Sequence, residues 1–182
     1  SSSADDLETD KYFYGAALDL NALAEHWDLS TYFLQQEVDG FIDRQAVGAE
    51  VRFKHKAGSM FALVDYDVNF SELNAALFSG SLIFPDRTIL TLAGDYRKNP
   101  FLTTSNALIG QTVTSLDALE ALFTEPEIEQ LALDRTTVSK SATLSLTRPL
   151  TGKLQVAADV TWSKLEGTIA SGGVDAIAET DD

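Results

Sequence analysis

The sequence predicts an all-β chain, an antiparallel up-and-down meander of about eight long strands with a short helical insertion. Three observations predict it. Apolar and polar residues alternate with period two through most of the chain. Short turn signals separate the alternating runs. One stretch of about forty residues drops the alternation for helix-start signals, too long for an ordinary loop.

The first run sets Tyr12, Tyr14, Ala16, Leu18 and Leu20 against Phe13, Gly15, Ala17, Asp19 and Asn21. The segment from Trp27 to Val38 alternates only in its first half. Val47, Ala49, Val51 and Phe53 then oppose Gly48, Glu50, Arg52 and Lys54. Met60, Ala62, Val64, Tyr66 and Val68 oppose Phe61, Leu63, Asp65, Asp67 and Asn69. Leu73 to Phe84 is apolar on both faces. Leu90, Leu92, Gly94 and Tyr96 oppose Thr91, Ala93, Asp95 and Arg97. Ala142, Leu144 and Leu146 alternate with Ser141, Thr143, Ser145 and Thr147. The last run sets Leu154, Val156, Ala158, Val160 and Trp162 against Gln155, Ala157, Asp159, Thr161 and Ser163.

Strands are therefore expected near 11–21, 26–38, 44–56, 59–69, 72–84, 87–98, 136–148 and 153–165. Lys56-Ala57-Gly58-Ser59, Phe84-Pro85-Asp86-Arg87 and the stretch from Arg148 to Lys153 read as short connections. In the long connection, Thr114 followed by Asp117 opens a helix over Ser115–Phe123. Thr124 followed by Glu127, with Pro126 in the first turn, opens one over Glu125–Asp134. The expected organisation is an acidic flexible segment at 1–10, a β region at 11–166 with the insertion at 112–135, and an acidic flexible tail or loop at 167–182.

Composition removes several function classes. The 182 residues carry a formal charge of −15, which argues against nucleic acid as a partner and against a polybasic surface for anionic lipid. There is no cysteine, so no disulfide and no thiolate metal site. No apolar run approaches the roughly 18 residues of a membrane helix. A membrane barrel needs no such run, because its strands alternate.

Each expected strand is about ten to thirteen residues long, against roughly five or six in a typical globular sheet and 9–11 for a tilted strand crossing a bilayer. One face carries small and aliphatic residues, with Tyr12, Tyr14, Phe53, Tyr66, Tyr96 and Trp162 near strand ends, as in an interfacial aromatic girdle. The other face carries Asp19, Glu50, Arg52, Asp65, Asp67, Asp95, Arg97 and Asp159. In a transmembrane barrel these eight charges would face the lumen. A soluble lipocalin-like barrel would invert the two faces and bind an apolar ligand.

Short turns are periplasmic and long loops extracellular in such barrels, so the insertion is expected outside. Both chain ends then also fall outside, which suggests a piece of a larger barrel with strands missing on both sides.

Two stretches carry a resemblance. One runs Phe61-Ala62-Leu63-Val64-Asp65-Tyr66-Asp67-Val68-Asn69-Phe70-Ser71-Glu72-Leu73-Asn74, the other from Asp95-Tyr96-Arg97-Lys98-Asn99-Pro100 to Gly110-Gln111. They resemble the barrel region of proteobacterial outer-membrane β-barrel proteins, some with tetratricopeptide repeats upstream, from about Gly40 to Gly173. The resemblance implies a bacterial outer-membrane location and a barrel fold, with no catalytic motif to transfer.

No catalytic, cofactor-binding or metal-binding set is expected. His26 and His55 lie near strand ends and read as turn residues rather than ligands. Asp65 and Asp67 share a face, and a salt bridge to Arg52 or Arg97 on a neighbouring strand is expected in preference to acid–base work. No serine sits in a Gly-x-Ser-x-Gly elbow. The expected partners are the lipid bilayer and other envelope protein subunits. The expected function is a porin-like passage or a membrane anchor for an envelope assembly. The insertion would plug the lumen, dock a partner or cap strand edges.

Overall fold

A computed structural model describes residues 10–171 and 173–181. The acidic segment expected at 1–10 lies outside the described residues except for Asp10, as does Asp182. The chain forms β1 (Lys11–Ala24), β2 (Trp27–Val38), β3 (Phe41–His55), β4 (Gly58–Asp67), β5 (Glu72–Ile83) and β6 (Ile89–Asn99). A 3-10 turn (Thr104–Leu108), α1 (Leu116–Glu120) and α2 (Glu125–Asp134) follow, then β7 (Thr137–Thr151), β8 (Leu154–Leu165) and the two-residue β9 (Thr180–Asp181). The strands pair antiparallel in chain order into a single sheet whose edges are β1 and β9. The meander matches the sequence expectation. Among the described residues β1 pairs only with β2.

The sheet has two ends. The hairpin end carries the turns β1–β2, β3–β4, β5–β6 and β7–β8. The cap end carries the turns β2–β3 and β4–β5 and the helical insertion. Asp39 and Gly40 both have positive φ (52° and 81°), the type I′ geometry that suits the twist of a two-residue hairpin. That turn lets the third strand begin at Phe41, three residues before its expected start at 44. The seventh strand likewise runs on through Pro149, because the proline sits where the ladder to β8 shifts register and no N–H is required of it.

α2 has the bounds expected from its capping box, in which Thr124 and Glu127 satisfy one another's orphan groups. α1 is shorter than the expected Ser115–Phe123. Its cap is Ser115, whose side chain accepts from the Ala118 amide, rather than Thr114. The 3-10 turn was not visible in the sequence. Residues 166–181 fold back: Glu166 N–H donates to the Val138 carbonyl, Ser171 bridges to Val174, and β9 pairs with the end of β8.

The buried apolar cluster lies almost wholly in the connection from β6 to β7, the 3-10 turn and the helical insertion together: Leu102, Ala107, Leu116, Leu119, Ile128, Leu131 and Ala132, with Val38 from β2. Phe41 and Phe70, beside the two cap-end turns, pack against it. The sheet contributes almost nothing else to a conventional core.

Candidate functional site: the charged face and the helical cap

The register joins the alternating runs into two continuous faces. Tyr32 pairs with Gly48, Gly48 with Asp65, Asp65 with Ala75, Ala75 with Arg97, Arg97 with Ser139 and Ser139 with Leu165. Asp19 pairs with Ser30, Ser30 with Glu50 and Asp28 with Arg52, and Asp159 with Ser145, all on the same side of the sheet. Asp67 pairs with Ala46 on that side. All eight charges expected on one face (Asp19, Glu50, Arg52, Asp65, Asp67, Asp95, Arg97 and Asp159) therefore share it.

This face is the shielded one at the cap end of β4 and along β7, whereas Asp19, Arg52, Arg97 and Asp159 are exposed on it. Asp65 and Asp67 are buried while Val64, Tyr66 and Val68 between and beside them are exposed. On β7, Ser141, Thr143, Ser145 and Thr147 are half-buried while Ala142, Leu144 and Leu146 are exposed. A soluble sheet buries its apolar face; here the order is reversed. β1 from Lys11 to Ala22, with a partner on one side, and β8 up to Trp162, which β9 covers only at Lys164 and Leu165, are exposed on both faces.

The apolar face forms a slanted band. Across four strands it reads Phe33, Val47, Tyr66 and Leu73 in one row, and Gly80, Leu92, Leu144 and Val160 in another. Its borders are polar. At the cap end Lys140 pairs with Glu166, and Lys164 with Glu179 at 2.8 Å. At the hairpin end Arg148 faces Asp86 at 3.8 Å. On β8 the band runs from Leu154 to Trp162, about 26 Å at roughly 3.3 Å per residue. At the tilt of about 40° usual for barrel strands that length would span about 20 Å of height, against the ~25 Å apolar belt of membrane barrels.

The polar contacts concentrate toward the cap end. Arg44 Nη2 donates to both carboxylate oxygens of Asp65, at 2.7 and 2.8 Å. The Tyr32 hydroxyl donates to the same carboxylate. Tyr32 reaches it by lying across Gly48, where an added Cβ would stand 2.1 Å from the ring. Glycine at this position is a requirement of packing. Asp67 accepts from the Phe70 amide and so holds the β4–β5 turn.

The expected partners of Asp65 are thus corrected. Arg52 lies opposite Phe61, four residues from Asp65, and pairs with Glu50 on its own strand. Arg97 pairs with Asp95 two residues away, its Nε 2.7 Å from Oδ1. Arg44 is the cation that reaches Asp65. Among the described residues Asp19 and Asp159 make no ion pair.

Two β-bulges attach the cap. The β2–β3 ladder skips Asp43, and the β4–β5 ladder skips Asn74. A bulge re-aims a side chain, and both of these turn toward the insertion. Asp43 accepts from the Ser105 amide at 2.7 Å and from Gln36 Nε2 at 2.7 Å. Asn74 Oδ1 accepts from the Leu102 amide at 3.0 Å. Thr104 Oγ1 donates to the Ile42 carbonyl at 2.7 Å. The insertion leaves β6 and crosses toward β3, where the Phe101 ring stacks on Arg44, 5.3 Å from Cζ to centroid. The cap therefore sits on the charged side of the sheet, not over its apolar face. Sequence reasoning missed Arg44, Tyr32, Asp43 and Asn74. The one available signal was the double polar stretch Gln35-Gln36-Glu37, which marks where alternation yields to a network.

His26 and His55 lie 5.0 Å apart, ring centroid to centroid, edge to face, within an aromatic cluster that includes Phe53 and Trp27. Among the described residues no group of three His, Cys, Asp or Glu side chains is placed to hold a metal ion. Nor is any helix long and apolar enough to cross a membrane.

No protein-family model, curated protein or solved structure matches the chain.

Proposed function

We propose that this chain forms part of the wall of a transmembrane β-barrel in a bacterial outer membrane, with the charged face toward a passage and the insertion narrowing one mouth. One observation carries this: an exposed apolar band with polar borders crosses the sheet, while Asp65 and Asp67 on the opposite face are buried. Water disfavours such a band by about 25 cal/mol per Å², and hydrocarbon does not. Among the described residues β1 has a partner on one side only, and since an open edge is not tolerated in lipid this supports a wall closed by further pairing.

A soluble barrel holding an apolar ligand would need the apolar face inside. The cap's attachment to the charged side favours the opposite arrangement. The proposal assigns no chemistry to the buried carboxylates: Asp65 accepts from Arg44 and Tyr32, Asp43 from Ser105 and Asp67 from Phe70.

The test is membrane fractionation with and without detergent, followed by gel mobility of unheated and boiled samples. Detergent-dependent recovery with heat-modifiable mobility is expected. A stable monomer in plain buffer would overturn the proposal. Conductance in planar bilayers then separates a passage from a membrane anchor for an envelope assembly, for which no conductance and a co-purifying envelope subunit are the signature.

A further inference from the structure

The arginines of the charged face are each tied to a carboxylate: Arg44 to Asp65, Arg52 to Glu50 and Arg97 to Asp95. The lysines of that face stand at its ends, Lys11 as the first residue of β1 and Lys54 as the last but one of β3. Between those ends Asp19 and Asp159 are exposed, and among the described residues neither has an ion-pair partner. The other cations of the cap half do not offset them. The register sets Lys98, Lys140 and Lys164 on the apolar side, where each meets a carboxylate. Arg135 is buried and donates to the Ile109 and Ser171 carbonyls.

The end of the sheet that the insertion covers carries the same sign. A cleft of about 490 Å³ opens there between the β2–β3 turn and the two helices. Asp39, Asp117, Glu120, Glu125 and Glu129 line it, over a backing of Phe41, Ile42 and Ile128. No lysine or arginine lines it, and among the described residues none of the five carboxylates is in an ion pair. A cleft with charges of one sign and low-dielectric walls concentrates the field and gathers counter-ions.

We propose that the passage conducts cations in preference to anions, with the cleft as the vestibule that gathers them and Asp19 and Asp159 as the free charges of its wall. Paired arginines cancel their partners' charge and leave little net field, so the carboxylates without a partner set the sign. Acidic side chains lining a conduit select cations in this way. The proposal rests on the passage reading above and adds to it the class of solute.

The full chain is reconstituted in planar bilayers of neutral lipid, and the reversal potential is measured under a KCl gradient. A several-fold preference for potassium over chloride is expected. It should weaken as the salt rises from about 0.1 M to about 1 M, where the Debye length shrinks from about 10 Å to about 3 Å. D117N/E120Q/E125Q/E129Q and D19N/D159N should each lower the preference, and the two sets combined should bring it close to parity. Conductance with no preference, or with a preference for chloride, overturns the proposal while leaving the passage intact. A preference that survives in the combined variant overturns the assigned residues. No conductance at all overturns the passage reading, and this proposal falls with it.

Discussion

The sheet and the helical insertion obey opposite burial rules. In the insertion Leu116, Leu119 and Ile128 are fully enclosed and acidic side chains coat the outside, as in any water-soluble domain. In the sheet Leu144, Leu146 and Val160 are exposed and Asp65 and Asp67 are buried. On the proposed reading the two halves face two solvents, water around the insertion and hydrocarbon against the apolar band of the sheet, with the border at Lys140, Lys164 and Arg148 and their carboxylate partners.

The largest expected effect is on the charged face. Asp65→Ala would leave Arg44 and Tyr32 without the acceptor they share, and removing one partner of a buried pair costs about 3–5 kcal/mol. Val64→Ala, next along the same strand but on the exposed face, should cost less than about 1 kcal/mol. Urea unfolding in detergent micelles measures both. If Val64 proved the costlier loss, the apolar face would be the core and the sheet would obey the ordinary rule.

Leu119→Ala tests the other region. It removes a fully buried side chain, for about 2–5 kcal/mol, but the cost should stay local. Hydrogen exchange should rise across α1 and α2 while heat-modifiable mobility of the sheet is retained. Loss of both together would show that the cap and the sheet fold as one unit.

Leu144→Arg and Ser145→Arg then contrast the two sides of β7. Arginine on a lipid face costs about 2–4 kcal/mol near the midplane, whereas on the charged face it finds water and Asp159 across the strand pair. Equal tolerance of the two, measured by folding yield into vesicles, would break the two-solvent comparison.

Gly48→Ala is a smaller perturbation of the Asp65 site. The new methyl would displace the Tyr32 ring, an overpacking change of about 1–3 kcal/mol. Tyr32→Leu in the same background should recover part of that loss, because it removes the ring that clashes. No recovery would mean that Gly48 is needed for its backbone alone.

These targets differ in how far the sequence announced them. The strands, the shared face of the eight charges and the α2 capping box were all legible, because each is a property of one segment and its period. The partner of Asp65 was not. Alternation states which face a residue takes but not which neighbour it meets. That depends on the offset between strands, which the Asp39-Gly40 turn sets and the bulges at Asp43 and Asn74 then shift. Arg52 and Arg44 both lie on the right face of β3. Gly48, opposite Asp65, is four residues from each; Arg52 pairs with Glu50, and Arg44, held against Phe101 at the cap, is the one that turns to Asp65. The cap's attachment was hidden for the same reason: a bulged residue leaves the alternating pattern, so its side chain looks like noise until its target is in place.

The smallest expected effect is pH dependence confined to the insertion. The Glu127 carboxylate accepts from the Thr124 amide and hydroxyl, both at 2.8 Å, and those bonds hold its pKa below the ordinary glutamate range. A pKa depressed by folding contributes stability above the unfolded value and loses it as pH falls through the folded one. Acidification from about pH 6 to about pH 3 should therefore speed amide exchange in the first turn of α2 in the parent chain. Glu127→Gln already lacks the charge, so its first turn should exchange faster at the higher pH and show less of the acid-dependent change after correction for intrinsic rates. If the parent and Glu127→Gln responded alike to acid, the capping box would hold its geometry without help from charge, and the insertion's N-terminal order would have to come from the packing of Ile128 alone.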